Sequence, residues 1–153
     1  MVKFKKNQNF MYEAISLARK SGIAGEVPIG ALIVDEKGHV LSKSENRIER
    51  ESSSLAHAEL LCISEAIKIK GTSRLINCDL WVTLEPCIMC SGAIINARLR
   101  RVYFGAYDTK IGALESNPYV LGLKNTNHKP EIYGGIESKL SEKLLNDFFI
   151  SKR

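Results

Sequence analysis

The sequence predicts an α/β fold, a three-layer α/β/α sandwich around a central five-stranded mixed sheet. Two observations indicate it. Short apolar stretches rich in β-branched residues alternate with longer stretches that have the 3.6-residue period of amphipathic helices. The first two strands are separated by a turn, which is typical of a hairpin, whereas later strands alternate with helices. At 153 residues, the chain suits one domain, which we expect to span residues 1–153.

The predicted elements follow one another without a linker or repeat. In order, they are a helix over 9–20, strands over 27–34 and 39–44, a helix over 55–69, a strand over 80–84, a helix over 86–97, strands over 101–104 and Glu131–Tyr133, and a helix over 138–150. Gly22 is expected to end the first helix, and Ser53 or Ser54 to cap the second. Pro86 keeps Glu85 extended and suits the start of the third helix.

Composition indicates a soluble protein kept in a reducing compartment. Apolar residues make up 44% of the chain and charged residues 25%, which is ordinary for a globular protein. No apolar run approaches the roughly 20 residues of a membrane span, and the basic N-terminus lacks the apolar core of a secretory signal. Two of the four cysteines form a C-x-x-C motif, which favours a metal site over disulfides. We therefore predict a cytoplasmic protein with no membrane partner.

Positive charge is concentrated in the C-terminal third. The net charge is +5, and residues 98–153 hold 10 Lys and Arg against 6 Asp and Glu. A basic surface suits a polyanionic partner such as RNA, although charge alone indicates no more than a solvated face.

Two short segments, His57-Ala58-Glu59 and Pro86-Cys87-Ile88-Met89-Cys90, carry the chemistry. His57, Cys87 and Cys90 provide three metal ligands of the types that zinc prefers. A structural zinc site has four protein ligands, whereas a catalytic one has three and leaves the fourth position for water. Glu59 stands close enough in sequence to transfer the protons of that water. This pattern predicts a zinc hydrolase.

Both segments are predicted at helix N-termini, where the helix dipole favours thiolates. If Ser54 caps its helix, His57 lies in the first turn and Glu59 in the second. Two alternatives compete with a catalytic zinc. A thioredoxin-like redox site would leave His57 and Glu59 without a role, and a structural zinc would need Cys62 or Cys78 as a fourth ligand. We interpret both of these cysteines as small buried apolar residues.

The order H-A-E then P-C-x-x-C is the signature of the zinc-dependent nucleobase deaminases. Within that superfamily the chain resembles the bacterial tRNA adenosine deaminases from about residue 8 to its C-terminus. The matching stretches are residues 26–31, Asn46, 83–87, 91–93, 105–113, Asn127-His128 and Phe148-Phe149. It departs from the family pattern at Ser53-Ser54-Leu55, where Asp-Pro-Thr is usual, and at Glu115-Ser116, where Gly-Ser is usual.

The resemblance implies a cytidine deaminase-like fold and hydrolytic deamination of adenosine to inosine at the wobble position (34) of tRNA, typically tRNA-Arg. It implies one zinc per subunit, held by His57, Cys87 and Cys90, and no organic cofactor. Glu59 is then the general base and later the general acid. The expected partners are a tRNA anticodon loop and a second copy of the chain, which helps form the RNA site in this family.

The resemblance also implies that six side chains contact the substrate: Asn46, Val27, Pro28, Asp108, Asn127 and Phe149. Without the matching residues on either side of it, Asp108 would be interpreted as a turn residue after a strand. Adjacent residues of a helix point about 100° apart, so one ring of the Phe148-Phe149 pair is expected to pack and the other to border the anticodon loop. Phosphate contacts are predicted at four basic side chains: Arg98, Arg100, Lys110 and Arg153.

The sequence is also compatible with two other functions. A zinc deaminase of a free nucleobase or nucleoside, such as guanine or cytosine, would share the zinc motif but would not need the basic C-terminal third. A non-catalytic module with a structural zinc would leave Glu59 and the three-ligand set unexplained.

Overall fold

The computed structural model describes residues 2–118 and 120–153. Every predicted helix and strand is present. The elements are α1 (Val2–Ile23), β1 (Gly30–Val34), β2 (Val40–Glu45), α2 (Ala58–Lys70), β3 (Asp79–Leu84), α3 (Ile88–Asn96), β4 (Arg101–Ala106), β5 (Glu131–Tyr133) and α4 (Ser138–Ser151). None of these helices is long and apolar enough to span a bilayer.

The sheet is mixed, as predicted, with strand order β2-β1-β3-β4-β5. β1 runs antiparallel to both β2 and β3, while β3, β4 and β5 are parallel. The hairpin turn accounts for the first antiparallel pair, and the crossover through α3 makes β3 and β4 parallel. Because parallel strands end at the same edge, the segments after β3 and β4 lie side by side. Ligands of α/β proteins bind at such an edge.

Helices cover both faces of the sheet, which confirms the three-layer sandwich. Side chains of β1 alternate between the two cores, as the pleat of a strand requires. Ala31 and Ile33 pack in the core under α2 and α3, whereas Leu32 and Val34 pack with α1 and the apolar face of α4. Cys62 and Cys78 are fully buried in the first core, so the interpretation of both as apolar packing residues is confirmed.

The N-terminal ends of α1 and β1 differ from the prediction. α1 begins at Val2 rather than residue 9, and Gly22 lies inside its last turn instead of ending it. β1 begins at Gly30 rather than residue 27. A Cβ atom at Gly30 would overlap the carbonyl oxygen of Ala14, so glycine is required where α1 crosses the strand. That close approach is a tertiary contact, which the apolar pattern of residues 27–34 does not encode.

The start of α2 is the larger correction, because neither Ser53 nor Ser54 caps this helix. It begins at Ala58, with His57 at the N-cap position. The Oδ1 atom of Asn46, at the end of β2, accepts a hydrogen bond of 3.1 Å from the Ala58 amide. The capping oxygen thus comes from another element. This moves His57 out of the helix and places Glu59 in its first turn rather than its second.

Candidate metal centre and active site

His57, Cys87 and Cys90 converge, as the sequence predicts. Their ligand atoms all lie within 4.8 Å of one another. His57 Nδ1 is 3.6 Å from Cys90 Sγ and 3.9 Å from Cys87 Sγ. Zinc bonded tetrahedrally to nitrogen and sulfur at its usual bond lengths would hold the two ligand atoms about 3.6 Å apart. The three side chains therefore fit a zinc ion, with one coordination position left for a reactant.

Two helix N-termini create this geometry. His57 is the N-cap residue of α2 and Cys87 the N-cap residue of α3, and both have extended backbones. Neither side chain caps its own helix, so both are free to act as ligands. Cys90 lies in the first turn of α3, fully buried. The predicted meeting of the two helix starts is confirmed, although α3 begins at Ile88 and not at Pro86.

The three ligands shift one another's pKa values, and these shifts leave Cys87 as a thiolate that can bind a cation. The neighbouring thiol of Cys90 and the imidazole of His57 lower the pKa of Cys87 to about 4. The same contact with Cys87 raises the pKa of Cys90, and contact with Cys87 also raises the pKa of His57. A thiolate beside a second thiol and an imidazole is a soft, electron-rich donor set, which suits zinc better than hard cations.

Glu59 is a buried carboxyl group beside the metal ligands, only 3% exposed. Burial raises its pKa to about 7, so the group can accept or release a proton near neutral pH. Its Oε2 atom is buried and has no hydrogen-bond partner among the described residues. Buried carboxylate oxygens are nearly always hydrogen-bonded, so this one marks a position where a reacting group can bind.

A cavity of about 490 Å³ opens above His57, a size suited to a nucleoside. Four of the six predicted substrate residues line it: Val27, Asn46, Asp108 and Phe149. The structure places Pro28 and Asn127 elsewhere. Pro28 lines a groove beside α4, and Asn127 lines a second pocket together with Arg74 and Arg98.

Asn46 joins the cavity to the metal centre. The side chain is 2% exposed, and its Oδ1 caps α2 one residue after His57. Its backbone carbonyl accepts hydrogen bonds from Ser21 Oγ at 3.1 Å and from Arg50 Nη2 at 2.7 Å. The backbone contacts fix the position of Asn46, and the bond from the Ala58 amide to Oδ1 orients its carboxamide, which leaves Nδ2 as the free donor of a side chain that lines the cavity.

The two phenylalanines of α4 differ in exposure, as expected for adjacent residues of one helix. Phe149 is 51% exposed and lines the cavity, whereas Phe148 is half-buried against the groove formed with α1. Their rings meet edge to face with centroids 5.5 Å apart. Phe149 thus presents an accessible aromatic face at the rim of the cavity.

Two buried carboxylates, each adjacent in sequence to a residue of the cavity lining, were given no role from sequence. Glu26 is 2% exposed and accepts hydrogen bonds from the amides of Glu49 and Arg50, which orders the loop leading to His57. Glu85 is equally buried and binds the loop after β4. The available signal was an acidic residue next to an apolar strand, which indicates a carboxylate that the fold must satisfy.

Comparison with known proteins agrees with this site. The family profile of the cytidine and deoxycytidylate deaminase zinc-binding region matches residues 4–106. The tRNA-specific adenosine deaminase of Rickettsia bellii is 44% identical, over 91% of this chain and 97% of its own. The Bacillus subtilis enzyme of the same name is 42% identical, over 92% of this chain and 86% of its own.

Two solved structures show the same fold. One, from a study of A-to-I editing by tRNA:A34 deaminases, has a TM-score of 0.86 and 42% identity, covering 90% of this chain and 99% of its own. A guanine deaminase from Nitrosomonas europaea has a TM-score of 0.74 at 22% identity, covering 92% of this chain and 83% of its own, and shares the fold alone. With its three zinc ligands in place, the chain belongs to the tRNA-specific adenosine deaminases, zinc-dependent hydrolases that act on adenosine in tRNA.

Proposed function

We propose that this enzyme acts in the cytoplasm and converts adenosine to inosine at the wobble position (34) of tRNA, typically tRNA-Arg. One observation carries the proposal. The cavity above His57 is lined by Asn46 and Asp108, together with the half-exposed ring of Phe149. This arrangement suits a single nucleoside turned out of an RNA loop, with an unpaired neighbouring base stacked outside.

His57, Cys87 and Cys90 hold the zinc ion, and Glu59 moves the protons. Zinc, when bound, supplies the Lewis acidity that makes water a nucleophile near neutral pH. Glu59 accepts a proton from the attacking water and delivers it to ring nitrogen N1, while oxygen bonds to C6 of adenine. Glu59 then takes the second proton, from the hydroxyl group now on C6, and passes it to the amino group on the same carbon, so that a C6=O bond can form. The C6–N bond breaks, ammonia leaves and inosine remains.

The cavity walls position the purine. Asn46 donates from Nδ2 to the nucleoside, and Val27 contacts the base with its apolar side chain, supported by Pro28 from behind. Asp108 Oδ1 accepts from the amides of Lys110 and Ile111, both at 3.1 Å, so it forms a turn with one oxygen. The turn interpretation and the RNA contact are therefore compatible, because Oδ2 remains for the substrate. Asn127 is assigned to RNA outside the cavity.

The stated substrate is tested by presenting zinc-loaded protein with an anticodon stem-loop of tRNA-Arg that has adenosine at position 34. Parallel reactions contain the same stem-loop with adenosine moved to another loop position, free adenosine, cytosine and guanine. We expect inosine only at position 34, measured by mass spectrometry of the digested RNA. Release of ammonia from a free base, with no inosine in the stem-loop, would replace this proposal with the free-nucleobase alternative.

Lys110 is proposed to contact a phosphate of the anticodon loop. It is exposed and lines the cavity rim, and none of the described carboxylates forms an ion pair with it. Lys110→Ala is expected to weaken stem-loop binding and to reduce the slope of log Kd against log salt by about 0.7–0.9, the contribution of one released counterion. Fluorescence anisotropy at several salt concentrations measures that slope.

Arg100 provides the matched control, because the structure gives it a different partner from the one predicted. Its guanidinium makes two hydrogen bonds to the Asp79 carboxylate, at 2.9 and 2.8 Å. Arg100→Ala should leave the salt slope unchanged. Equal slopes for the wild type and Lys110→Ala, or a reduced slope for Arg100→Ala alone, would contradict the assignment.

We further propose a homodimer whose interface includes the start of α3. Ile88 follows the ligand Cys87 directly and is 61% exposed, whereas Cys90, Ser91 and Ile94 of the same helix are buried. The family resemblance carries the expectation of a second subunit, and Ile88 is an exposed apolar side chain beside the metal ligands against which that subunit can pack. Ile88→Lys is expected to convert the dimer to a monomer in sedimentation analysis, with Ile23→Lys, 89% exposed on α1, as the control. A wild-type monomer at micromolar concentration would disprove the dimer.

A further inference from the structure

Glu85 is a buried carboxylate whose hydrogen-bond partners all come from one loop. It follows β3 directly and is 2% exposed. Its Oε2 atom accepts hydrogen bonds from the amides of Leu114 at 3.2 Å, and of Glu115 and Ser116 at 2.9 Å each. Its Oε1 atom accepts from the Asp108 amide at 3.2 Å and from the Ser116 hydroxyl. One side chain thus binds both ends of residues 108–116.

Backbone contacts join the same loop to the metal-ligand segment. The Ala113 amide donates to the Pro86 carbonyl at 2.9 Å, and Cys87 pairs with Gly112 in an isolated bridge. A Cβ atom at Gly112 would lie 2.5 Å from the carboxyl carbon of Glu85, so only glycine fits there. Residues 108–116 are therefore held directly against the segment that delivers a zinc ligand.

No lysine or arginine forms an ion pair with Glu85 among the described residues. Its negative charge is satisfied only by N–H and O–H donors of the loop. A buried charge that loses such donors is costly, so the carboxylate and the loop conformation stabilise each other. Where the family usually has Gly-Ser, this chain has Glu115-Ser116, so the serine is the same. Ser116 supplies both an amide and a hydroxyl donor to Glu85.

We propose that Glu85 is a positioning residue for the substrate, which fixes residues 108–116 so that Asp108 and Ile111 form a cavity wall at a set distance from the zinc ligands. The inference rests on the proposed function, because that function assigns the wall to the RNA substrate. Glu85 itself does not line the cavity. It acts through the loop, so its loss should impair substrate binding more than the chemical step.

The test is Glu85→Gln, which keeps the shape of the side chain but replaces one acceptor oxygen with an NH2 group. If the remaining oxygen serves the three amides at Oε2, the NH2 group faces the Asp108 amide, donor against donor. We expect KM for the anticodon stem-loop to rise about tenfold, the effect of one lost hydrogen bond to a charged group. We expect kcat to change less than about twofold, since Glu59 and the zinc ligands are untouched.

Two further measurements separate positioning from general damage. Zinc content should stay at the wild-type value, and amide hydrogen exchange should accelerate at residues 108–116 but not in α2. Glu131→Gln, an exposed carboxylate on β5, is the control and should change none of these quantities. An unchanged KM, or a raised KM that accompanies zinc loss and exchange throughout the chain, would overturn the positioning role.

Ser116→Ala keeps the test decisive if Glu85→Gln does not fold. It removes the hydroxyl from Oε1 and leaves every backbone amide in place. KM should rise about two- to threefold with kcat unchanged, because a neutral donor contributes less. An unchanged KM in this variant would also overturn the inference. If wild-type protein fails to deaminate the stem-loop, the proposed function is wrong. Amide hydrogen exchange at residues 108–116 in Glu85→Gln still decides whether Glu85 fixes the loop.

Discussion

Replacing Glu59 with alanine is expected to abolish deamination while one zinc ion per chain remains bound. The carboxyl group lies beside His57 but is not needed as a ligand, because His57, Cys87 and Cys90 already complete a three-ligand site. Removing a general acid–base group of this kind lowers turnover by about 10²- to 10⁴-fold. Since the proposed mechanism gives Glu59 two proton transfers, we expect the upper end of that range.

Stability should not fall with activity in this variant. The Glu59 carboxyl group is buried with an unpartnered Oε2, which disfavours folding. Alanine removes that group, so the melting temperature should stay unchanged or rise. The measurements are single-turnover inosine formation, zinc content and thermal unfolding. The control is Glu65→Ala, on the exposed face of the same helix. Deamination by Glu59→Ala near the parent rate would disprove the proton-transfer role.

Replacing Cys90 with alanine is expected to remove zinc and activity together. Cys90 is fully buried and supplies one of three protein ligands. Loss of a hydrogen-bond partner behind a ligand already weakens metal binding by about 10- to 100-fold, so loss of the ligand itself should exceed about 100-fold. Because bound metal stabilises the folded state, the melting temperature should also fall and should no longer respond to a chelator.

Cys62→Ala is the matched control, because Cys62 is equally buried but packs in the core under α2. Both variants lose a sulfur atom from the interior, so both lose packing energy, of about 1 kcal/mol. Only Cys90→Ala should lose zinc, as measured by mass spectrometry of the metal after gel filtration. Zinc retained by Cys90→Ala, or lost to the same extent from Cys62→Ala, would contradict the assignment of the ligands.

The parts of this protein that could be predicted from sequence depend on local spacing. The alternation of strands and helices identified the sandwich, because burial on one face imposes a period on neighbouring residues. Cys87 and Cys90 lie three residues apart, so the sequence alone brings them together at one helix start. His57 was identified as the third ligand because a catalytic zinc site needs three protein ligands and the cysteine pair supplies only two.

Residues whose role depends on a distant partner could not be placed in this way. Asn46, the residue after β2, caps α2 from a distant part of the chain, so the predicted serine caps were wrong. Arg100 was predicted to contact phosphate, but the fold gives its guanidinium to Asp79. The role of Glu85 could not be predicted from neighbouring residues, because its five hydrogen-bond donors lie more than twenty residues further along the chain.

Three zinc ligands, the α/β sandwich that holds them and the proposed proton-transferring carboxylate, Glu59, could all be identified from the amino-acid sequence. These depend on residue type and short spacing, which survive without knowledge of the rest of the chain. Only the tertiary structure decided the shape of the substrate cavity, with Asp108 and Phe149 on its walls and Pro28 and Asn127 outside it. A cavity is bounded by segments far apart in sequence, and their relative positions follow from packing and long-range hydrogen bonds.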